Sequence, residues 1–124
     1  MRFNYADLVA GNQRPYVIAE LGANHNGDMD LAKTLIKTAK ECGADAVKLQ
    51  SWTVDDLFSK KKYEDNYFLG DDYRNRTDYT LKSIMEKYAV SKEQHFELKK
   101  YCDELDIDFC STPFSMAGAD MPIR

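Results

Sequence analysis

The sequence has no hydrophobic run near the roughly 18 consecutive apolar residues that a membrane span needs. Its opening segment, MRFNYADLVAG, lacks the apolar stretch of a secretory leader. The chain is therefore expected to be cytoplasmic, without a membrane partner. Cysteine is scarce and odd in number. Cys42, Cys102 and Cys110 form no CxxC clip, which excludes a disulfide framework and a thiol zinc site and predicts reduced, mostly buried thiols. There is no excess of positive charge: 17 basic residues stand against 21 acidic ones, for a net charge of −4. A chain without a basic stripe has little with which to displace counterions, so no nucleic-acid partner is expected. The one tight basic run, Lys60 to Lys62, is followed at once by Glu64 and Asp65 and reads as a solvated loop. No internal repeat or low-complexity segment is present.

What remains is ordinary globular material. The 124 residues, 44% hydrophobic and 31% charged, suffice for one modest domain. Residues 16–22, YVIAELG, are a β-branched apolar run broken only by Glu20, and predict a buried strand. ANHNGD at 23–28 is turn chemistry. Asp28 is placed to cap a helix whose apolar residues Leu31, Leu35, Ile36 and Ala39 recur with helical spacing, and Gly43 sits where such a helix ends. AVKLQSW at 46–52 predicts a second strand. Residues 53–77 have no clean period and predict a long excursion with about one turn of helix. A short helix is expected over 79–88. Ser91 and Gln94 fit a capping box for another, with Phe96, Leu98, Tyr101, Cys102 and Leu105 as its apolar contacts. Residues 107–110 predict a third strand, leading into an STPFS turn.

Strands separated by helical crossovers predict a parallel sheet. Doubly wound sheets and (β/α)₈ barrels both fit, and periodicity does not choose between them. In either, ligands bind at the carboxyl-terminal ends of strands. The informative residues are therefore Glu20 with the ANHNG loop, then Lys48 and Gln50, then Ser111 and Thr112. Alternation puts Lys48 and Gln50 on one face, and likewise Ile18 with Glu20 and Cys110 with Thr112. A charge inside an apolar strand needs a partner or a ligand, since unpaired burial costs several kcal/mol, roughly. Glu20 and Lys48 could pair with each other and open for an anionic ligand, or simply form a structural ion pair. His25 reads as a hydrogen-bonded structural residue or as part of a ligand loop. Ser111 and Thr112 offer phosphate donors or merely a turn. Trp52 and the tyrosines at 63, 67, 73 and 79 offer either a sugar-stacking surface or packing for the excursion.

These motifs together resemble the N-acetylneuraminate (sialic acid) synthase family. VIAELGANHNG at 17–27, GADAVKLQ at 43–50, SIMEKYAVSKEQHFELKKYCDEL at 83–105 and CSTPFS at 110–115 carry the resemblance, which runs from about residue 14 to 117. It implies that the chain is the N-terminal portion, about three βα units, of a (β/α)₈ TIM barrel. Residues 1–124 would then be a partial synthase domain lacking the rest of the barrel and a small antifreeze-like domain. It further implies condensation of phosphoenolpyruvate with an N-acetylated amino sugar such as N-acetylmannosamine. In that chemistry phosphoenolpyruvate C3 attacks the sugar aldehyde, water adds at C2, and phosphate leaves. A divalent metal, Mn²⁺ or Mg²⁺, is implied, and so is a domain-swapped homodimer.

Residue by residue, the resemblance makes Lys48 and Thr112 phosphoenolpyruvate ligands, Gln50 a sugar ligand, and Glu20 the catalytic carboxylate that orients sugar or intermediate. Asn75 is the nearest match to an asparagine that touches the sugar. His25 and His95 do not match the family's metal positions, so no metal ligand is assigned here and the isolated chain is expected to be inactive. Two alternatives remain: a Schiff-base aldolase using Lys48, and a non-catalytic partial barrel that binds a ligand or self-associates.

Overall fold

A computed structural model of the chain describes residues 5–11 and 14–120. A short helix, α1 (Tyr5–Val9), precedes strand β1 (Ile18–Gly22). Helix α2 (Met29–Glu41) begins where Asp28 accepts hydrogen bonds from the backbone N–H groups of Asp30 and Leu31. It ends in a Schellman motif: Ala44 N donates to Ala39 O and Gly43 N to Lys40 O, both at 3.0 Å. Gly43, at φ +88°, supplies the left-handed residue which that closure needs. Strand β2 (Ala46–Ser51) follows.

The excursion after β2 is more ordered than its lack of period suggests. It holds helices α3 (Val54–Leu57) and α4 (Lys60–Asp65) and a small antiparallel pair, β3 (Tyr67–Phe68) with β4 (Asp71–Asp72). Thr53 and Ser59 cap the two helices locally, so neither needs an apolar stripe. The lysine run is thus helical rather than loop, though solvated as expected, with Lys60 and Lys61 facing Glu64 and Asp65 one turn on.

Helix α5 (Leu81–Tyr88) and helix α6 (Lys92–Glu104) each open with a capping box, from Thr80 with Ser83 and from Ser91 with Gln94. Strand β5 is Asp108–Pro113, longer than expected, and α7 (Met116–Ala119) follows. The STP residues belong to the strand because the ladder continues through them, pairing Leu49 with Ser111, Gln50 with Thr112 and Ser51 with Pro113. Pro113 ends the strand, where its missing N–H does least harm.

The main sheet runs β1-β2-β5, parallel throughout. Helices α2 and α6 pack on each other and cover one face. Under them lies the core: Leu21, Val47 and Leu49 from the strands, Ala32 and Ile36 from α2, Leu98 and Cys102 from α6, with Val90 and Ile107. The α6 stripe is His95, Leu98 and Cys102. Phe96, expected to be a core contact, lies outside that stripe and stays 40% exposed. Cys42 is exposed rather than buried, because it caps α2 at the surface, whereas Cys102 is fully buried. The other face of the sheet carries Glu20, Lys48, Gln50, Cys110 and Thr112. No helix of the described residues is long and apolar enough to cross a membrane.

Candidate functional site

Register brings the strand-end residues together. Glu20 pairs with Lys48 across β1 and β2, Lys48 with Cys110 across β2 and β5, and Gln50 with Thr112 beside them. Lys48 Nζ lies 2.7 Å from Glu20 Oε2, with side chains 37% and 48% exposed. The two charges are therefore paired but not buried. The desolvation cost expected from the sequence falls away, because no second layer of the described residues covers this face. Hydrogen bonding to the Glu20 carboxylate and its charge raise the Lys48 pKa. Lys48 thus stays an ammonium ion at neutral pH, the opposite of what an amine nucleophile needs. That counts against the Schiff-base alternative.

The rim beside this pair is shaped by backbone. The ladder shifts register between Glu20 and Gly22, and Gly22 takes φ +53°. A Cβ at Gly22 would sit 3.6 Å from Glu20 Oε1 and 3.8 Å from Gln50 Nε2. The glycine thus leaves room between the two polar side chains. Cys110 Sγ donates to Val47 O at 3.3 Å, and burial raises the thiol's pKa, so it is a neutral neighbour of the ion pair.

Other candidates fall elsewhere. Ser111 faces the helix layer, where its hydroxyl meets Ser51, because alternation sends it opposite Thr112. It is not on the Lys48 face. His25 is 1% exposed and its Nδ1 accepts from Gly27 N at 3.0 Å, which makes it a structural residue of the loop. Gly27, at φ +79°, packs against the end of α5 so closely that a Cβ would lie 2.1 Å from Lys87 O. Asn75 sits on the exposed turn closed by the hydrogen bond from Arg76 N to Tyr73 O.

The aromatic residues mostly pack. Trp52 is buried, donates to Met85 O and meets Phe114 edge-on. Tyr63 donates to Val54 O and packs on Phe58. Tyr73 packs on Tyr79, and the Arg76 guanidinium lies 3.9 Å from the Tyr79 ring centre. Tyr67 is 42% exposed under Lys62 and Arg74. A cleft of about 590 Å³ lies near Trp52, Val90 and Ser115 rather than over Lys48.

Two buried polar residues, Ser51 and His95, lie outside the candidate site residues of the sequence. His95 was in phase with Leu98 and Cys102, which was the available signal. Among the described residues no group of three or more His, Cys, Asp or Glu is arranged to hold a metal ion.

Comparison with known proteins fits this arrangement. The model of the NeuB family matches residues 35–122. This chain belongs to the NeuB family. A relative, N,N′-diacetyllegionaminic acid synthase of Legionella pneumophila, is 39% identical over 87% of the chain and 30% of its own length. N-acetylneuraminate-9-phosphate synthase of Mus musculus is 38% identical over 84% of the chain and 28% of its own length. The crystal structure of the N-acetylneuraminic acid synthetase of Leptospira borgpetersenii, in complex with citrate, superposes with a TM-score of 0.69 at 25% identity. It covers 89% of this chain and 33% of that one. The chain thus spans about 30% of the length of the curated relatives it matches. The NeuB fold settles the choice that periodicity left open: the three strands are βα units of the barrel type, as expected.

Proposed function

We propose that the Lys48 face binds phosphoenolpyruvate and an N-acetylated amino sugar, in a carbon–carbon-forming transferase of nonulosonic acid biosynthesis. The observation that carries this is the half-exposed Lys48–Glu20 pair, set in register with Gln50 and Thr112 at strand ends of a NeuB sheet. An ammonium held in place by one carboxylate can exchange that partner for a phosphate or carboxylate of the ligand. Glu20 is then free to accept sugar hydroxyls, while Thr112 and Gln50 supply neutral hydrogen bonds beside it. In this reading Asn75 joins the sugar from the excursion.

The condensation needs more than these residues. We assign the Mn²⁺ or Mg²⁺ ion to residues outside those described, and infer that the 124-residue chain alone does not turn over. The same reading makes it cytoplasmic. It also makes it self-associating, because β1 and β5 are sheet edges among the described residues. Size-exclusion chromatography giving a folded monomer would count against self-association.

Calorimetric titration of the chain with phosphoenolpyruvate tests the binding claim. Binding by the wild type and its loss in Lys48→Ala is the expected result; equal heats from both would overturn it. Mn²⁺-dependent phosphate release from phosphoenolpyruvate and N-acetylmannosamine by the chain alone would overturn the inactivity.

A further inference from the structure

Behind the Lys48 face, under α6, runs a continuous line of buried and half-buried hydrogen bonds. His95 is 0% exposed and Ser51 is 4% exposed. His95 Nδ1 lies 2.9 Å from Ser91 O, and His95 Nε2 lies 2.8 Å from Ser51 Oγ. Ser51 Oγ in turn meets Ser111 Oγ. A carbonyl oxygen can only accept, so Nδ1 carries the ring proton. In the neutral ring Nε2 must then accept, and Ser51 donates to it. Ser51 has spent its proton, so Ser111 donates to Ser51. The chemistry of the partners fixes every donor in the line.

The position of this line gives it a consequence. Ser51 follows Gln50 in β2, and Ser111 precedes Thr112 in β5. Alternation points the serines to the helix layer and Gln50 and Thr112 to the open face. The backbone closes the same corner, with Phe114 N donating to Ser51 O at 3.0 Å. The Phe109 ring meets the imidazole edge-on from β5. One helix residue thus tethers the ends of the two strands that carry Gln50 and Thr112.

We propose that His95 is a positioning residue: through Ser51 and Ser111 it fixes the ends of β2 and β5 so that Gln50 and Thr112 converge beside Lys48. The proposal deepens the reading of that face as the ligand site, but its first test does not depend on that reading.

The test is two-dimensional NMR of the ligand-free chain and of its Ser51→Ala, Ser111→Ala and His95→Gln variants. The Gln50 side-chain amide and the Thr112 methyl should shift in both serine variants, while Ala32 and Ile36 methyls of α2 stay put. The double variant Ser51→Ala/Ser111→Ala should resemble Ser51→Ala, because one line is cut once. Gln50 and Thr112 signals unmoved in both folded serine variants would overturn the proposal, whether or not any ligand binds. Shifts spread evenly over the core would overturn it too, since they would report general loosening. Should Ser51→Ala fail to fold, Ser111→Ala alone decides, because it leaves the Ser51–His95 bond in place. With phosphoenolpyruvate as probe, Ser111→Ala should weaken binding up to about tenfold, the scale of one lost hydrogen bond. His95→Gln, which keeps a donor and an acceptor, should recover part of the affinity that His95→Phe loses. Failure of every form to bind would refute the ligand reading and leave the NMR result to decide the positioning claim.

Discussion

Acidification should destabilise this fold through its two buried histidines. Both histidines are buried, and burial lowers both pKa values below the ordinary 6.5, with each ring's proximity to the other lowering that of His25 further. Geometry agrees. Protonating His25 would put a donor at Nδ1, which now accepts from Gly27 N. Protonating His95 would reverse the Ser51 and Ser111 hydroxyls. The folded state therefore binds fewer protons than the unfolded state just below pH 6.5. The stabilisation from keeping both rings neutral is full above the unfolded value and is lost as pH falls towards the folded values. The limiting slope is about 1.4 kcal/mol per pH unit for each ring, so about 2.8 for the pair. Accumulated over one pH unit, that is a large fraction of a typical total stability of about 5–15 kcal/mol.

Urea denaturation at pH 7.5, 6.5 and 5.5 measures this directly. Stability should fall across the series, and His95→Gln should reduce the slope towards about 1.4 kcal/mol per pH unit. The carboxylates with lowered pKa, Asp78, Glu93 and Asp72 at about 2, lose their contribution only in more acid solution, so they do not blur this window. Stability unchanged between pH 7.5 and 5.5, or imidazole signals titrating at the ordinary value, would refute the reasoning.

Three further outcomes follow from the same structure. Gly27→Ala should cost about 2–4 kcal/mol in urea denaturation, because its Cβ would drive into Lys87 O at an unfavourable positive φ. Leu98→Ala, at the fully buried centre of the core, should cost about 2–5 kcal/mol by the same measurement. Borohydride reduction in the presence of pyruvate should leave the mass of the chain unchanged, since Lys48 is held as an ammonium by Glu20; a covalent adduct at Lys48 would revive the Schiff-base alternative.

The sheet was legible because its strands break the rules in a readable way. Glu20, Lys48 and Gln50 are polar interruptions in β-branched runs, and alternation alone put Lys48 and Gln50 on one face. Helix ends were equally plain: Asp28, Gly43 and the Ser91–Gln94 box each satisfy backbone groups that any helix leaves open. The excursion was not legible. Its helices are held by single caps at Thr53 and Ser59 and by aromatic contacts such as Phe58 with Tyr63 and Phe68, which leave no period to detect. The extension of β5 through Pro113 was hidden because proline reads as a turn, yet at a strand end it gives up little. The burial of His95 was hidden because a lone histidine in a helical stripe does not show which groups satisfy its ring. Only the packed structure shows Ser91 and Ser51 satisfying both ring nitrogens.

A ligand role for the Lys48 face requires that an anionic ligand displace Glu20 from Lys48. Titration of the isotope-labelled chain with phosphoenolpyruvate, followed at the Lys48 side chain, Gln50 amide and Thr112 methyl, measures that. Saturable shifts at these residues, absent with Lys48→Ala, are predicted. Shifts confined to the cleft near Trp52 and Ser115, or none in the folded wild-type chain, would contradict it.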